Sequence, residues 1–189
     1  MTILAPPGNY TVKLSVDGQE YSAPLAVVKD PNTGASDEDI QKQTTTLFEL
    51  RKDLEAAADM TNQIETIRAQ LENLKGVLRG NAEVRTAADD LDKKLSDIED
   101  NLIQRKYSGQ GQDTTRYPTK LTGKITYLAG GVATGDYPPN TQQKEVQSMF
   151  ESQLADLRKR LDSVVSTDLG NFNRMLRDKN IGNVIAIGQ

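Results

Sequence analysis

The chain of 189 residues contains no Cys, no His and no Trp; 36% of it is hydrophobic, 26% charged and 5% aromatic. These absences exclude disulfides, thiolate and imidazole catalysis and the usual zinc, haem and copper ligands, so carboxylates, Lys and hydroxyls remain for any chemistry. The net charge of −4 is unevenly divided, because residues 1–35, 36–104 and 105–189 carry −1, −7 and +4. We therefore expect the acidic middle to pack beside the basic last part, and no nucleic-acid partner, which would need a concentrated basic face.

Targeting and membrane segments are not evident in the sequence. No apolar run approaches the roughly 20 residues that a membrane helix needs. The first residues do not have the pattern of a signal peptide. We expect no membrane insertion.

Residues 1–31 form the first predicted domain, a β-hairpin. Apolar and polar residues alternate over 10–16 and again over 21–27. Asp17-Gly18 between the two runs is typical of a two-residue turn, because that turn needs positive φ. A lone hairpin is marginal in water, so its apolar face must be covered by the helices, by a partner or by strands outside this sequence. We favour the last option and expect residues 10–28 to be the least stable part.

The second predicted domain, residues 36–180, is mainly α: an antiparallel bundle of three long helices and one short helix. After an opening step of seven from Ile40, apolar residues recur every three or four positions over 47–78 and predict a first helix over 37–79. Ser36 is its predicted N-cap, and Gly80 its predicted end.

A second helix is predicted over 82–104, with Asn81 as its N-cap and a regular apolar stripe. That stripe consists of Val84, Ala88, Leu91, Leu95, Ile98 and Leu102. Residues 105–116 predict an exposed loop, because they contain few groups that could be buried.

Residues 118–133 admit two interpretations. Pro118 suits the first turn of a short helix, whereas the β-branched and aromatic residues of 124–129 and Gly130-Gly131 suit a strand. A last long helix is predicted from Thr141, continuing past a bend near Gly170 to Leu176. The third predicted domain is an extended tail, 181–189.

Acidic residues cluster in the second helix and could form a cation site or an acid–base pair. They are Asp89, Asp90, Asp92, Asp97, Glu99 and Asp100. No calcium-loop motif accompanies them. We interpret them as a solvated helix face, because charged residues are seldom buried.

Two other motifs resemble binding sites. Gly130 to Gly135 have the glycine spacing of a phosphate loop, but Asp136-Tyr137 follow where Lys and Ser/Thr are required. We interpret the loop as a weakened helix end.

Basic and aromatic residues alternate in a second motif, which could bind an anion or a single-stranded nucleic acid. It comprises Arg105, Lys106, Tyr107, Arg116 and Tyr117. Because the net charge of the region is low, we favour a structural interpretation in which Tyr107 and Tyr117 anchor the loop on the bundle. Arg158-Lys159-Arg160 is interpreted as a mixed-sign helix surface. We predict no catalytic, cofactor-binding or metal-binding residue and no cofactor.

Several motifs resemble known families. Residues 5–21, followed by Lys29-Asp30-Pro31, resemble the last two strands of an immunoglobulin-like module of large secreted bacterial proteins. The remaining motifs resemble the C-terminal region of bacterial sortilin-like proteins with BNR (Asp-box) β-propellers, often labelled glycosyl hydrolases. These motifs are Tyr117-Pro118-Thr119-Lys120-Leu121, Gly135-Asp136, Pro138-Pro139, Thr141-Gln142-Gln143 and Asp168-Leu169-Gly170-Asn171-Phe172-Asn173.

The resemblance implies an exported parent protein whose propeller precedes this sequence, and it favours a helix over 118–133. No Asp-box repeat occurs in the sequence, so the resemblance transfers no catalytic residue.

We expect a non-catalytic C-terminal module whose partners are the upstream β-propeller and immunoglobulin-like strands and whose bundle is a spacer or docking surface. A self-associating helical scaffold is the first alternative, because long apolar seams can be covered by another copy. A glycoside hydrolase with paired carboxylates is a weaker one.

Overall fold

A computed structural model describes residues 2–186 of the chain, and the predicted mainly α fold preceded by a hairpin is confirmed. The elements are, in order, β1 (Gly8–Val16), β2 (Gln19–Val27), α1 (Asp37–Val77), α2 (Ala82–Leu102), α3 (Asp113–Arg116), α4 (Leu121–Val132), α5 (Thr141–Ser163), a π-helical turn (Val164–Leu169) and α6 (Gly170–Asp178). Residues 187–189 of the predicted tail lie outside the described residues.

The hairpin has the predicted strands and turn. β1 and β2 pair antiparallel, with Val16 opposite Gln19 and Leu14 opposite Tyr21. Asp17 and Gly18 have φ of 51° and 81°, as a type I′ turn requires. Within residues 2–186 these two strands are the whole sheet.

Two compact units can be distinguished. The first unit contains residues 2–52 and 126–147, and the second contains residues 53–125 and 148–186. The three boundaries between the units therefore fall inside helices α1, α4 and α5.

Hydrogen bonds from side chains fix the helix ends of the first unit. The Ser36 hydroxyl accepts from the Asp39 N–H at 3.1 Å and donates to the Asp39 carboxylate at 2.7 Å, so the predicted cap is confirmed. Asn140 and Gln143 form a similar reciprocal pair at the start of α5. The buried Gln43 amide donates to the carbonyl of Val132 at 2.8 Å and also to that of Gly135. Gln43 thereby joins α1 to the end of α4.

The second unit is an antiparallel arrangement of long helices around the predicted stripes. Lys75 reaches Asp89 at 2.9 Å and Arg68 reaches Glu99, so α1 and α2 run in opposite directions. The six stripe residues of α2 are all buried. The side chain of Asn81 accepts a hydrogen bond from the Val84 N–H at 3.2 Å, which confirms the second cap.

The regional charges meet as expected within the second unit. Arg160 of α5 contacts Asp97 at 2.5 Å, and Lys179 after α6 contacts Glu83 at 2.7 Å. Both pairs join a base of the last part to an acid of α2. They also place α2 antiparallel to the segment from α5 to α6.

Several boundaries differ from the predictions. The segment predicted over 118–133 is a helix, but α4 begins only at Leu121, so Pro118 precedes its first turn. Gly170 has ordinary α-helical angles, φ −59° and ψ −44°, and the π-helical turn Val164–Leu169 ends directly before it. The predicted loop 105–116 contains the single turn α3, which sequence patterning missed.

The tail is held more firmly than the prediction of an extended apolar segment implied. Asn173 donates to the Val184 carbonyl at 2.8 Å and accepts from the Val184 N–H at 2.7 Å. Gln70 makes the same reciprocal pair with Ile185. Val184 is buried, so this residue of the tail belongs to the core of the second unit.

Candidate functional site

The hairpin carries the most unusual surface among the described residues, an apolar face that is half exposed. The face consists of Tyr10, Val12, Leu14 and Val16 on β1 and Tyr21, Ala23 and Leu25 on β2. Val12, Leu14 and Tyr21 are 50%, 58% and 55% exposed. In the register of the strands these side chains lie opposite one another on one side of the sheet. They form a contiguous patch, of the kind that marks an interaction surface.

The opposite face of the hairpin is polar. Thr11, Lys13 and Ser15 alternate with the apolar residues of β1, and Glu20 and Ser22 do so on β2. Lys13 lies 4.0 Å from Glu20. One face of this sheet carries charged residues and the other is apolar, so the apolar face is the one suited to burial. No other layer among the described residues covers that face.

The acidic cluster of α2 does not form one site, and the interpretation of Glu99 as part of a solvated face is wrong. The Glu99 side chain is only 1% exposed and contacts Arg68 at 2.5 Å and Arg105 at 3.1 Å. Asp92 holds the other side of Arg68 at 2.8 Å, and Asp100 that of Arg105 at 2.8 Å. The five residues form one network with a carboxylate at its buried centre.

The electrostatics of this network suit a structural role. Burial lowers the pKa of Arg68, but hydrogen bonds and charges from Asp92 and Glu99 outweigh it and raise the pKa above its ordinary value. The guanidinium therefore stays charged and keeps Glu99 paired. Removing Arg68 would leave the buried Glu99 carboxylate with one arginine partner in place of two, which is costly for a buried charge.

The remaining acidic residues of α2 lie apart. Asp89 pairs with Lys75, and Asp97 pairs with Arg160. Asp90 lies at a shallow groove described below. Across residues 2–186 no group of His, Cys, Asp or Glu is arranged to hold a metal ion.

The residues of the basic and aromatic motif do not form one binding patch, because several of them contact separate partners. Arg105 is bound to Glu99 and Asp100, and the Lys106 ammonium lies 5.8 Å from the centre of the Tyr117 ring. The Tyr107 hydroxyl lies 3.4 Å from that of Thr119. These contacts hold the segment from Arg105 to Thr119 together.

The glycine motif lies at a helix end. Gly130 and Gly131 belong to α4, and the Thr134 hydroxyl donates to the Gly131 carbonyl at 2.8 Å. The Gly135 carbonyl accepts from Gln43. The segment is therefore engaged by helical and capping bonds.

Two shallow grooves lie on the second unit. The larger, of about 400 Å³, is lined by Asn101, Pro118, Thr119, Lys120, Leu121, Lys124, Gln153, Asp156, Leu157 and Arg160. The smaller, of about 260 Å³, is lined by Ala87, Asp90, Leu91, Lys94, Asp168, Asn171, Phe172 and Met175. Its carboxylates are Asp90 and Asp168, and Lys94 contacts Asp168 at 2.8 Å. Because the Lys94 ammonium group pairs with Asp168, one of the two carboxylates is already in an ion pair. The groove is therefore a poor match for the paired free carboxylates of a glycoside hydrolase.

Sequence spacing could have identified the buried Glu99. It lies four residues after Leu95 and three before Leu102, which places it beside the apolar stripe. Arg68 and Arg105 have no comparable signal, because their proximity depends on how the helices are paired.

Comparison with protein-family models, with curated proteins and with solved structures found no match for this chain. No helix in the described part of the chain is long and apolar enough to cross a membrane.

Proposed function

We propose that this chain is a non-catalytic C-terminal module of a larger exported protein. Its hairpin completes a β-sandwich formed with other strands of that protein, and its helices act as a spacer or docking surface beside a β-propeller. The observation that carries the proposal is the open apolar face of the hairpin.

The energetics of that face support a covering layer. Fully burying a Val or Leu side chain contributes about 1.5–3 kcal/mol relative to leaving it exposed. Val12, Leu14, Val16 and Leu25 each retain about half of their exposure, 47–58%. A second sheet packed on this side would recover the missing stabilisation, and the polar opposite face would remain in water.

The helices support a spacer role by their length and satisfied contacts. α1 has 41 residues, which corresponds to about 60 Å at 1.5 Å per residue. The buried Glu99 network and the hydrogen bonds between Asn173 and Val184 stabilise the second unit. The resemblance to sortilin-like BNR proteins supplies the proposed neighbours and the proposed export.

The proposal is tested by placing a charge on each face of the hairpin. Leu14→Lys is expected to lower the melting temperature of the longest natural product of the gene, because a lysine would be buried without a partner. The same change in the 189-residue chain is expected to be nearly neutral, since Leu14 is already 58% exposed.

Ser22→Lys is the matched control, because Ser22 lies on the polar face of the same hairpin. It is expected to be tolerated in both proteins. If Leu14→Lys is as harmless as Ser22→Lys in the longer protein, the apolar face is not covered there and the proposal is wrong.

The non-catalytic part is tested with a panel of glycans. We expect no hydrolysis by the 189-residue chain. Robust hydrolysis that is lost in Asp168→Asn or Asp90→Asn would favour the carboxylate hydrolase, because these residues line the smaller groove.

Sedimentation velocity over a wide concentration range tests the helical scaffold alternative. A sedimentation coefficient that is independent of concentration and fits a monomer excludes obligate self-association. Reversible dimerisation that survives Leu14→Lys would favour the scaffold.

A further inference from the structure

The two edges of the hairpin are chemically different. Val16 and Gln19 flank a two-residue turn, so they exchange backbone hydrogen bonds as the first pair of the ladder. Such pairs alternate along antiparallel strands. Leu14–Tyr21, Val12–Ala23 and Tyr10–Leu25 are therefore the next hydrogen-bonded pairs.

The residues that alternate with these pairs are not hydrogen-bonded across the hairpin. Their backbone N–H and C=O groups point away from the partner strand, toward the outer edges of the sheet. On β1 the outward N–H and C=O groups belong to Asn9, Thr11, Lys13 and Ser15, and on β2 they belong to Glu20, Ser22, Pro24 and Ala26. Pro24 has no N–H group. The outer edge of β2 thus lacks a donor in its middle, whereas that of β1 is complete.

Proline on an outward position is how natural sheets block unwanted pairing. A strand added beside β2 would lose one hydrogen bond and meet the Pro24 ring at the centre of the contact. A strand added beside β1 would find donors and acceptors in full at Thr11 and Lys13. Those residues are exposed, and in the described chain β1 pairs with no strand except β2.

We infer that the free edge of β1, and not that of β2, pairs with a further strand of the larger protein. This inference rests on the function proposed above. The added strand would alternate apolar and polar residues, because its side chains must continue the apolar face formed by Tyr10, Val12 and Leu14.

The occupant is a strand of the larger protein rather than a second copy of this chain. If β1 paired with β1 of another copy, the sheet would gain two strands and the apolar face would double while staying uncovered. A strand that belongs to a sandwich arrives with the second layer that this face lacks.

Two proline variants test the edge. Thr11→Pro removes an outward N–H from β1, and Ser22→Pro removes one from β2, so neither deletes a bond within the hairpin. In the 189-residue chain the two variants should therefore unfold at similar temperatures. In the longest natural product of the gene, Thr11→Pro should lower the melting temperature by at least about 2 °C more than Ser22→Pro.

Amide exchange in the longer protein gives a second readout. The outward N–H groups of Thr11 and Lys13 should exchange about 100-fold more slowly than those of Glu20 and Ser22. Slow exchange on the β2 edge, or a larger effect of Ser22→Pro, would overturn the inference and leave the proposed function standing. Fast exchange on both edges together with a harmless Leu14→Lys would overturn both. Protection of the β1 edge that appears in the 189-residue chain only as it dimerises would identify a second copy as the occupant and overturn this assignment.

Discussion

The hairpin and the helices of the second unit both have a regular apolar pattern, every second residue in the strands and every third or fourth in the helices, yet they differ in how much of their apolar surface is covered. Leu14 and Tyr21 on the hairpin are 58% and 55% exposed, whereas Ile64, Leu95 and Leu102 in the helices are 0% exposed. Sequence periodicity therefore predicts which face of an element is apolar, but not what covers it. Coverage depends on the number of neighbouring elements, and within residues 2–186 the hairpin forms a sheet of two strands.

The largest expected effect separates these two regions by truncating one leucine in each. Leu95→Ala should lower the free energy of unfolding by about 4 kcal/mol, because it leaves a cavity in a closed core. Leu14→Ala should cost less than about 1 kcal/mol in the 189-residue chain, since its side chain is half in water. Urea unfolding of both variants measures the difference. Equal costs would mean that the hairpin face is covered in solution.

The next largest effect is expected for the buried ion network of Glu99, which stabilises the helices of the second unit and has no counterpart in the hairpin among the described residues. Glu99→Ala should cost about 3 kcal/mol, because Arg68 and Arg105 would lose their shared partner. Asp100→Asn is the matched control and should change the free energy of unfolding by less than about 1 kcal/mol, because Asp100 is exposed. Thermal unfolding measures both. A Glu99→Ala variant as stable as Asp100→Asn would indicate that the network is not formed.

The anchored tail should respond on a smaller scale. Asn173→Ala removes both hydrogen bonds to Val184 and should cost about 1–2 kcal/mol. Amide exchange at Val184 should accelerate more than exchange within α2. Asn171→Ala, in the same helix, provides the control, and equal acceleration in the two variants would exclude a specific tail contact.

A glycine substitution tests whether the hairpin unfolds independently of the helices. Gly18→Ala should destabilise the hairpin by about 1 kcal/mol, because Gly18 has a φ of 81°. Amides 10–27 should exchange faster while those of α2 stay unchanged. Gly80→Ala, where an added Cβ meets nothing within 4 Å, should be harmless. Loss of protection in α2 would contradict an independently unfolding hairpin.

The smallest expected effect concerns the start of α1. The Ser36 hydroxyl lowers the pKa of Asp39 below its ordinary value. A carboxyl with a lowered folded pKa stabilises the protein above its unfolded pKa, and this stabilisation is lost as the pH falls through the folded pKa. In an NMR titration, Ser36→Ala should return the Asp39 pKa toward its ordinary value.

Much of the helical fold could be predicted from local sequence. The stripe of α2, the caps at Ser36 and Asn81 and the type I′ turn depend on spacing or on single residues, so they were predicted correctly. The positions of Gln43 and of the tail could not be predicted, because each depends on a contact with a residue far away in sequence.

The candidate site was predicted only in part, for a related reason. The apolar face of the hairpin follows from alternation, and it is present. The asymmetry of its edges follows from Pro24 only when the register is known. The burial of Glu99 was not predicted. Charged residues are seldom buried when they are unpaired, but two arginines from distant parts of the sequence pair with Glu99.

The π-helical turn between α5 and α6 shows how the helical seam tolerates an irregular step. Apolar residues in this segment recur every three or four positions except between Val164 and Leu169, which are five apart and both buried. In a regular α-helix five residues would rotate Leu169 about 140° away from Val164. The wider turn, with i→i+5 bonding, absorbs the additional residue and returns Leu169 to the buried side. The helix thus contains one residue more than a regular α-helix would need to bring the next apolar residue to the buried side. Deleting one residue between Val164 and Leu169 should therefore keep the same face of the helix toward the core.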